Sequence, residues 1–229
     1  MLGQSKLQSK SALMHGGIVN LSDLATRVVV VTDNEQLMHA YAVRSICFME
    51  ETGLTAQRAF DGNDFQATHI VVYAADEPVG AARIRWFNGF AKIERTAFRK
   101  AWRNPRILKQ AADFIFEHAA RKGYTKAITL AKPQYAMVWI RLLGFREVPG
   151  RPPSLSGDGE PFVELIKDLT PAEDAISIDT DPSVLFRVEG SWHVPSAFEA
   201  PRRLALSVGA AGTSRRRLRQ PAAAGRGQI

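Results

Sequence analysis

Cysteine is nearly absent from this chain: Cys47 is the single one among 229 residues. That excludes an internal disulfide framework and leads us to expect a reducing, cytoplasmic setting. Cys47 falls inside an apolar helical stretch and reads as a buried thiol, not a nucleophile. Histidine is scarce as well, and no Cys/His group has metal-ligand spacing, so no metal is expected. No apolar run approaches a membrane span, and the polar first residues lack the hydrophobic region of a signal peptide. Acid is missing from the C-terminus. Residues 201–229 carry Arg202, Arg203, Arg215, Arg216, Arg217, Arg219 and Arg226 with no Asp or Glu. Those arginines equal the whole formal charge of +7, so residues 1–200 are neutral. The basic character belongs to a tail that would make at most a weak nucleic-acid contact, and no basic face is implied.

Hydrophobic content of 45% places the rest among globular chains, long enough for one full core. Four stretches follow from composition: a mobile arm over 1–26, a folded domain over 27–169, an extension over 170–200 and a disordered basic tail over 201–229. Within the domain, Arg27 to Val31 reads as a buried-type strand. Thr32 to Glu35 matches a capping box that opens a helix running to about Glu51, with Leu37, Tyr41 and Phe48 on one face. Gly53 to Gln66 reads as loop. Strands follow over Thr68 to Ala74, Val79 to Phe87 and Phe90 to Arg99, the last pair joined by the hairpin signal Asn88-Gly89. Asn104-Pro105 starts a second helix, with Asn as N-cap and Pro at N1, and Lys122-Gly123 stops it. Lys126 to Ala131 is a strand, and a third helix closes on Leu143-Gly144-Phe145. Arg146 to Val148 and Phe162 to Leu169 read as the last strands of the domain. In the extension, Val184 to Val188 reads as a strand.

The turn before Pro105 is where the sequence becomes chemical. A helix N-terminus offers unpaired N–H groups and partial positive charge, a natural seat for phosphate. Arg99, Lys100, Arg103 and Arg106 crowd that end of the helix, where the macrodipole disfavours cations. An anionic ligand would resolve the conflict.

The element order, strand–helix–three strands–helix–strand–helix–two strands, resembles the GNAT N-acetyltransferase superfamily over roughly residues 27–169. Ala91 to Arg99 looks like that family's fourth strand, and Lys100-Ala101-Trp102-Arg103 like the start of its acyl-CoA pyrophosphate loop. Ala136, Trp139 and Gly144-Phe145 look like its closing helix. The resemblance implies an α/β fold with a mixed, mostly antiparallel sheet flanked by helices on both faces. It also implies acyl transfer from acetyl-CoA or another acyl-CoA to a primary amine, small molecule or peptide, in a ternary complex. Thr96, Phe98, Arg99, Arg103, Asn104, Arg106, Ile107 and Leu108 would bind the co-substrate, with backbone N–H groups near Phe98 polarising the thioester. The family loop is usually glycine-rich, whereas Asn104, Pro105, Arg106 and Leu108 stand here. The amides of Arg106 to Leu108 then remain to receive the diphosphate, with arginine charge replacing close backbone approach. Ile140 stands where many members place a general-acid tyrosine, and Tyr135 is the nearest phenol.

Glu94 is the candidate base. Strand alternation puts it on one face with Lys92, Thr96 and Phe98, and the other interpretation is a salt-bridged strand glutamate. A second resemblance, to acyl-homoserine-lactone and N-acyl amino acid synthases of the same fold, rests on Arg44-x-x-x-Phe48, Asp61-x-x-Asp64, Gly80-x-x-Arg83 and Glu94. It assigns Arg44, Asp61, Asp64 and Arg83 to the substrate and names an acyl carrier protein as donor. Read from the residues alone, the two aspartates serve equally well as turn formers, and Arg44 as part of an ion network. Outside catalysis, the alternative is a regulatory or binding protein on a degenerate fold of this type.

Overall fold

The computed structural model describes residues 11–14, 17–20, 25–157 and 159–199. Ser11–Met14 (β1) and Gly17–Asn20 (β2) pair antiparallel as a separate hairpin, although the sequence there shows no period and predicts only an arm. Ala25 and Thr26 close the arm and lead into the next strand, and the arm's remaining residues and the basic tail lie outside the described residues.

The main sheet holds β3 (Thr26–Val30), β4 (Thr68–Ala74), β5 (Glu77–Phe87), β6 (Phe90–Phe98), β7 (Lys126–Ala131), β8 (Arg146–Glu147), β9 (Ser154–Leu155) and β10 (Pro161–Asp168). Its spatial order is β3-β4-β5-β6-β7-β10-β8, with β9 also pairing β10. Every pairing is antiparallel except β6 with β7. Parallel neighbours need a crossover, and here it is α3 (Pro105–Arg121). The sheet is thus mixed and mostly antiparallel, as the sequence predicts.

Helices cover both faces. On one, α1 (Asn34–Arg44) sets Ala40 and Val43 against Val71, Tyr73, Ala81 and Ala97, joined by Cys47. On the other, α3 sets Ala112, Ile115 and Ala119 against Ile70, Ile84 and Ile93 in a larger core. That core also takes Ala136 and Leu143 of α4 (Pro133–Leu143). Small side chains along α1 allow close approach to the sheet. The buried stripe is therefore Ala40, Val43, Arg44 and Cys47, while the expected Leu37, Tyr41 and Phe48 are only half-buried.

Several ends fall where local chemistry puts them. Asn104 Oδ1 accepts from the Arg106 amide at 2.8 Å and opens α3. Gly123 (φ 81°) and Gly144 (φ 74°) supply the left-handed conformations after α3 and α4. The N-cap of α1 sits one residue later than expected, at Asp33, and the reciprocal bond of a capping box is not made. Asp33 Oδ1 accepts from the Gln36 amide (2.8 Å), because Asp caps as well as Thr, while Gln36 Oε1 accepts from the amide of Thr32, one residue before the cap (3.0 Å). Past Arg44 the chain continues as a π-helical turn, Ser45–Glu50. The predicted loop 53–66 contains the one-turn α2 (Ala56–Ala59) and a 3₁₀ turn, Gly62–Gln66.

The extension differs most from expectation. In place of a strand at 184–188 stands the short α5 (Pro182–Leu185), capped by Asp181. Asp-Pro is an N-cap followed by an N1 proline, and that local signal outweighs the β-branched valines. The segment also folds back on the domain. The Ile176 amide donates to Arg121 O (2.8 Å), and Glu189 accepts from His118 Nε2 (2.9 Å), Lys122 Nζ (3.0 Å) and Thr68 Oγ1 (3.0 Å).

Candidate active site

The site is organised by one irregularity. In the β5–β6 ladder Arg83 faces Glu94 and Ala81 faces Ala97, so Ala82 alone stands opposite Arg95 and Thr96. This is a β-bulge, and Arg95 takes φ 51° within it. The extra residue reverses which way β6 side chains point. Ile93 packs toward α3 and Ala97 toward α1, although both are odd-numbered. Glu94 accordingly stays with Lys92 on the α1 face, while Thr96 and Phe98 turn to the α3 face. Strand alternation, which groups all four together, is corrected here. The parallel register of β6 with β7 runs only from Ala91–Ala127 to Ile93–Thr129, and it ends where the bulge begins.

On the α1 face the bulge looks onto a network of charges. Arg44 is fully buried and grips Asp64 with both terminal nitrogens, at 2.7 and 3.0 Å, while donating to Ala59 O at 2.5 Å. Arg83, 1% exposed, reaches Asp64 (2.8 Å), Asp61 (2.8 and 3.2 Å) and Glu94 (2.5 and 3.1 Å). Arg95 donates to Asp61 at 2.9 Å, Lys92 Nζ lies 2.7 Å from Glu94 Oε1, and Arg85 lies 3.8 Å from the same oxygen. The structure thus brings together Arg44, Asp61, Asp64, Arg83 and Glu94. The aspartates also serve their turn: Asp61 Oδ1 caps the Asn63 amide, and Asp64 Oδ2 accepts from the Asp61 amide. His69 Nε2 donates to Asp64 O at 2.9 Å.

This network fixes the protonation states. Burial would raise the Glu94 carboxyl, but hydrogen bonds from Lys92 and Arg83 outweigh it and hold the group below the ordinary glutamate range. Asp64 is likewise pushed up by burial and pulled down further by Arg44 and Arg83, to about 2. Asp61 is lowered chiefly by its bond from Arg83. All three acids are ionised at neutral pH.

On the α3 face, Thr96 and Phe98 line a narrow apolar cavity with Ile93, Leu108, Ala111 and Trp139. Its volume of about 10 Å³ is room for no more than a single water. The Thr96 hydroxyl is buried there without a hydrogen-bond partner, which is costly unless a ligand or water supplies one. Phe98 lies so close over Gly80 that a Cβ there would sit 2.5 Å from the ring.

The helix end at Pro105 is partly spoken for. Of the amides expected to be free, that of Arg106 is capped by Asn104 Oδ1, and that of Leu108 bonds Asn104 O at 3.0 Å. Ile107 and Leu108 put their side chains in the core. Arg99 pairs with Glu77. Arg103 pairs with Glu51 at the end of the π-helical turn and donates to Phe98 O at 2.9 Å. Trp102, buried beside Ile107 and Ala111, anchors this turn and was not singled out by the sequence. Lys92 and Arg95 were missed as site residues as well, whereas Arg85, on one strand face with Arg83, reads from the sequence as able to bind a substrate carboxylate or to pair with acids. Tyr135 is 57% exposed, and the Cys47 thiol is pushed up by burial, so it makes a poor nucleophile.

No helix among the described residues is long and apolar enough to cross a membrane. The architecture has known counterparts. The uncharacterized N-acetyltransferase YjcF of Bacillus subtilis (strain 168) is 30% identical over 146 residues, spanning 62% of this chain and 99% of its own. An acyl-CoA N-acyltransferase from Pseudomonas aeruginosa superposes with a TM-score of 0.54 at 18% identity, covering 63% of this chain and 99% of that one. A GNAT family acetyltransferase from Elizabethkingia anophelis, solved with acetyl-CoA bound, superposes with a TM-score of 0.50 at 13% identity, over 63% and 98% of the two chains. At these identities the two structures speak for the fold. Residues 31–145, from the end of β3 to the Gly-Phe after α4, match the model of the acetyltransferase (GNAT) family, and it is to this family of acyltransferases that the chain belongs.

Proposed function

We propose that the protein transfers an acyl group from acetyl-CoA or another acyl-CoA to a primary amine, by direct attack in a ternary complex. One observation carries the proposal. The Arg95 bulge leaves β6 with an orphaned hydroxyl, Thr96, on the α3 face and an ionised acid, Glu94, on the α1 face. A thioester approaching along Thr96 and Phe98 and an amine approaching past Glu94 would meet where β6 parts from β7. The amine nitrogen forms the new bond to the acyl carbon, the carbon–sulfur bond breaks, the thiolate takes a proton, and the ammonium proton leaves by way of Glu94. Glu94 is a weak base with Arg83 and Lys92 on it, so the rate should rise with pH as more of the amine is free. Arg103, Asn104, Arg106 and the Ile107 amide form the proposed seat of the diphosphate. Arg103 would exchange Glu51 for phosphate oxygens there.

Free-thiol release from acetyl-CoA, followed across a panel of amines, tests this. Glu94→Gln should lower kcat about a hundredfold, the low end of what general-base removal costs, with acetyl-CoA affinity retained. Unchanged turnover in that variant would remove Glu94 from the mechanism. We assign to residues 201–229 a weak, salt-sensitive contact with polyanions, separate from this chemistry.

A further inference from the structure

Resting on that reading, we infer that the acceptor is an amine bearing a carboxylate, as an amino acid does, and that Arg85, Lys92 and Arg95 select it. The side chains that bond one another on the α1 face are five cations, Arg44, Arg83, Arg85, Lys92 and Arg95, and three carboxylates, Asp61, Asp64 and Glu94. The surplus is not spread evenly. Arg44 and Arg83 are buried, 0% and 2% exposed at the side chain, and they take up Asp64 together with much of Asp61 and Glu94. Arg85, Lys92 and Arg95 are the half-exposed ones, with side chains 29%, 26% and 30% accessible. Each is left to share an acid that Arg83 already holds. Positive charge without its own counter-ion therefore collects at the solvent-facing rim of the network around Glu94.

Two details make this rim fit for a carboxylate. Arg95 Nε is buried with no hydrogen-bond partner, so its guanidinium keeps one unspent donor beside the bond to Asp61. Arg85 lies over the Phe87 ring at 4.8 Å. A guanidinium stacked in this way is oriented and presents its edge to a planar anion. A bare ammonium would meet like charge at this rim, whereas an acceptor with its own carboxylate complements it.

Calorimetry with CoA present, comparing L-alanine and L-phenylalanine with their primary amides, reads the selectivity directly, and acetyl transfer to the same four compounds reads it kinetically. The acids should bind and react at least about tenfold better than the amides, the difference expected of one charge-assisted contact. Arg85→Gln with Lys92→Gln should bring that ratio toward one, while Arg85→Lys with Lys92→Arg preserves it. Circular dichroism confirms that both pairs of variants fold. Amides that bind as well as acids, or a preference that survives the Gln pair, overturn the inference. Transfer to amides alone would overturn it while leaving acyl transfer standing. Charge-dependent acid binding with no transfer to any amine would instead uphold the selectivity and remove the proposed reaction.

Discussion

A single buried carboxylate shows what the charge network contributes to the fold. Asp64 is 4% exposed at the side chain and is held by two arginines. Its pKa falls from an ordinary 3.8 to about 2 in the folded chain. A depressed carboxylate stabilises the fold once pH exceeds its unfolded value, and that contribution drains away as pH falls toward the folded one. Urea unfolding should therefore show about 2 kcal/mol from this residue at pH 5 and above, lost between pH 4 and pH 2. Asp64→Asn should lack that part of the acid limb. At pH 7 it should be less stable by about 3 kcal/mol, since Arg44 loses its only carboxylate among the described contacts and stays buried. An Asp64→Asn chain that keeps the full acid limb would show that the lowered pKa contributes nothing to folding. Arg44-x-x-x-Phe48 and Asp61-x-x-Asp64 were legible in sequence as a set. Their mutual pairing was legible only as one of two readings, because sequence spacing does not say whether a cation meets a ligand or another side chain.

At the scale of elements, the strand that separates the two halves of the proposed site was read to within one residue in extent, ending at Phe98 and not Arg99, and incorrectly in facing. Residues 90–98 form β6 as the pattern indicates. Ile93 and Ala97 have the parity of one uninterrupted face, and nothing but the left-handed Arg95 reverses it. A glycine or asparagine at 95 would have flagged the turn of the backbone; arginine there gives no warning. The C-terminal extension failed for a similar reason, since its attachment through Glu189 depends on contacts far away in sequence. The pairing of β5 with β6 also makes a prediction. Gly80 accepts the Phe98 ring where a Cβ would lie 2.5 Å from it and 3.2 Å from Val72 Cβ. Gly80→Ala must push the ring toward the small cavity beside Thr96. We expect a stability loss of about 1–3 kcal/mol, as for other overpacked sites. We also expect a loss of at least about tenfold in acetyl-CoA affinity by calorimetry, because the ring would enter the proposed thioester path. Loss of stability with affinity unchanged would move that path away from Phe98.

For the molecule as a whole, the question is which parts beyond residue 169 belong to the working domain, and two truncations answer it. A chain ending at 199 loses the seven arginines of the tail and the whole formal excess of charge, and none of the described contacts. Its stability should match the full chain within about 0.5 kcal/mol, and its acetyl transfer should be unchanged. A chain ending at 169 loses much more. Glu189 no longer joins His118, Lys122 and Thr68, leaving the mostly buried His118 without its carboxylate. Val30 is uncovered where Gly190, left-handed at φ 83°, now lies so close that a Cβ would sit 2.5 Å away. The loss should exceed about 2 kcal/mol by thermal or urea unfolding. Binding to a DNA duplex should vanish in both truncations. In the full chain it should weaken with salt, the slope of log K against log salt reporting how many arginines meet phosphate. Duplex binding that persists in the chain ending at 199 would place the polyanion site on the folded domain. Equal stability of both truncations would mean that the Glu189 contacts decorate the domain without holding it.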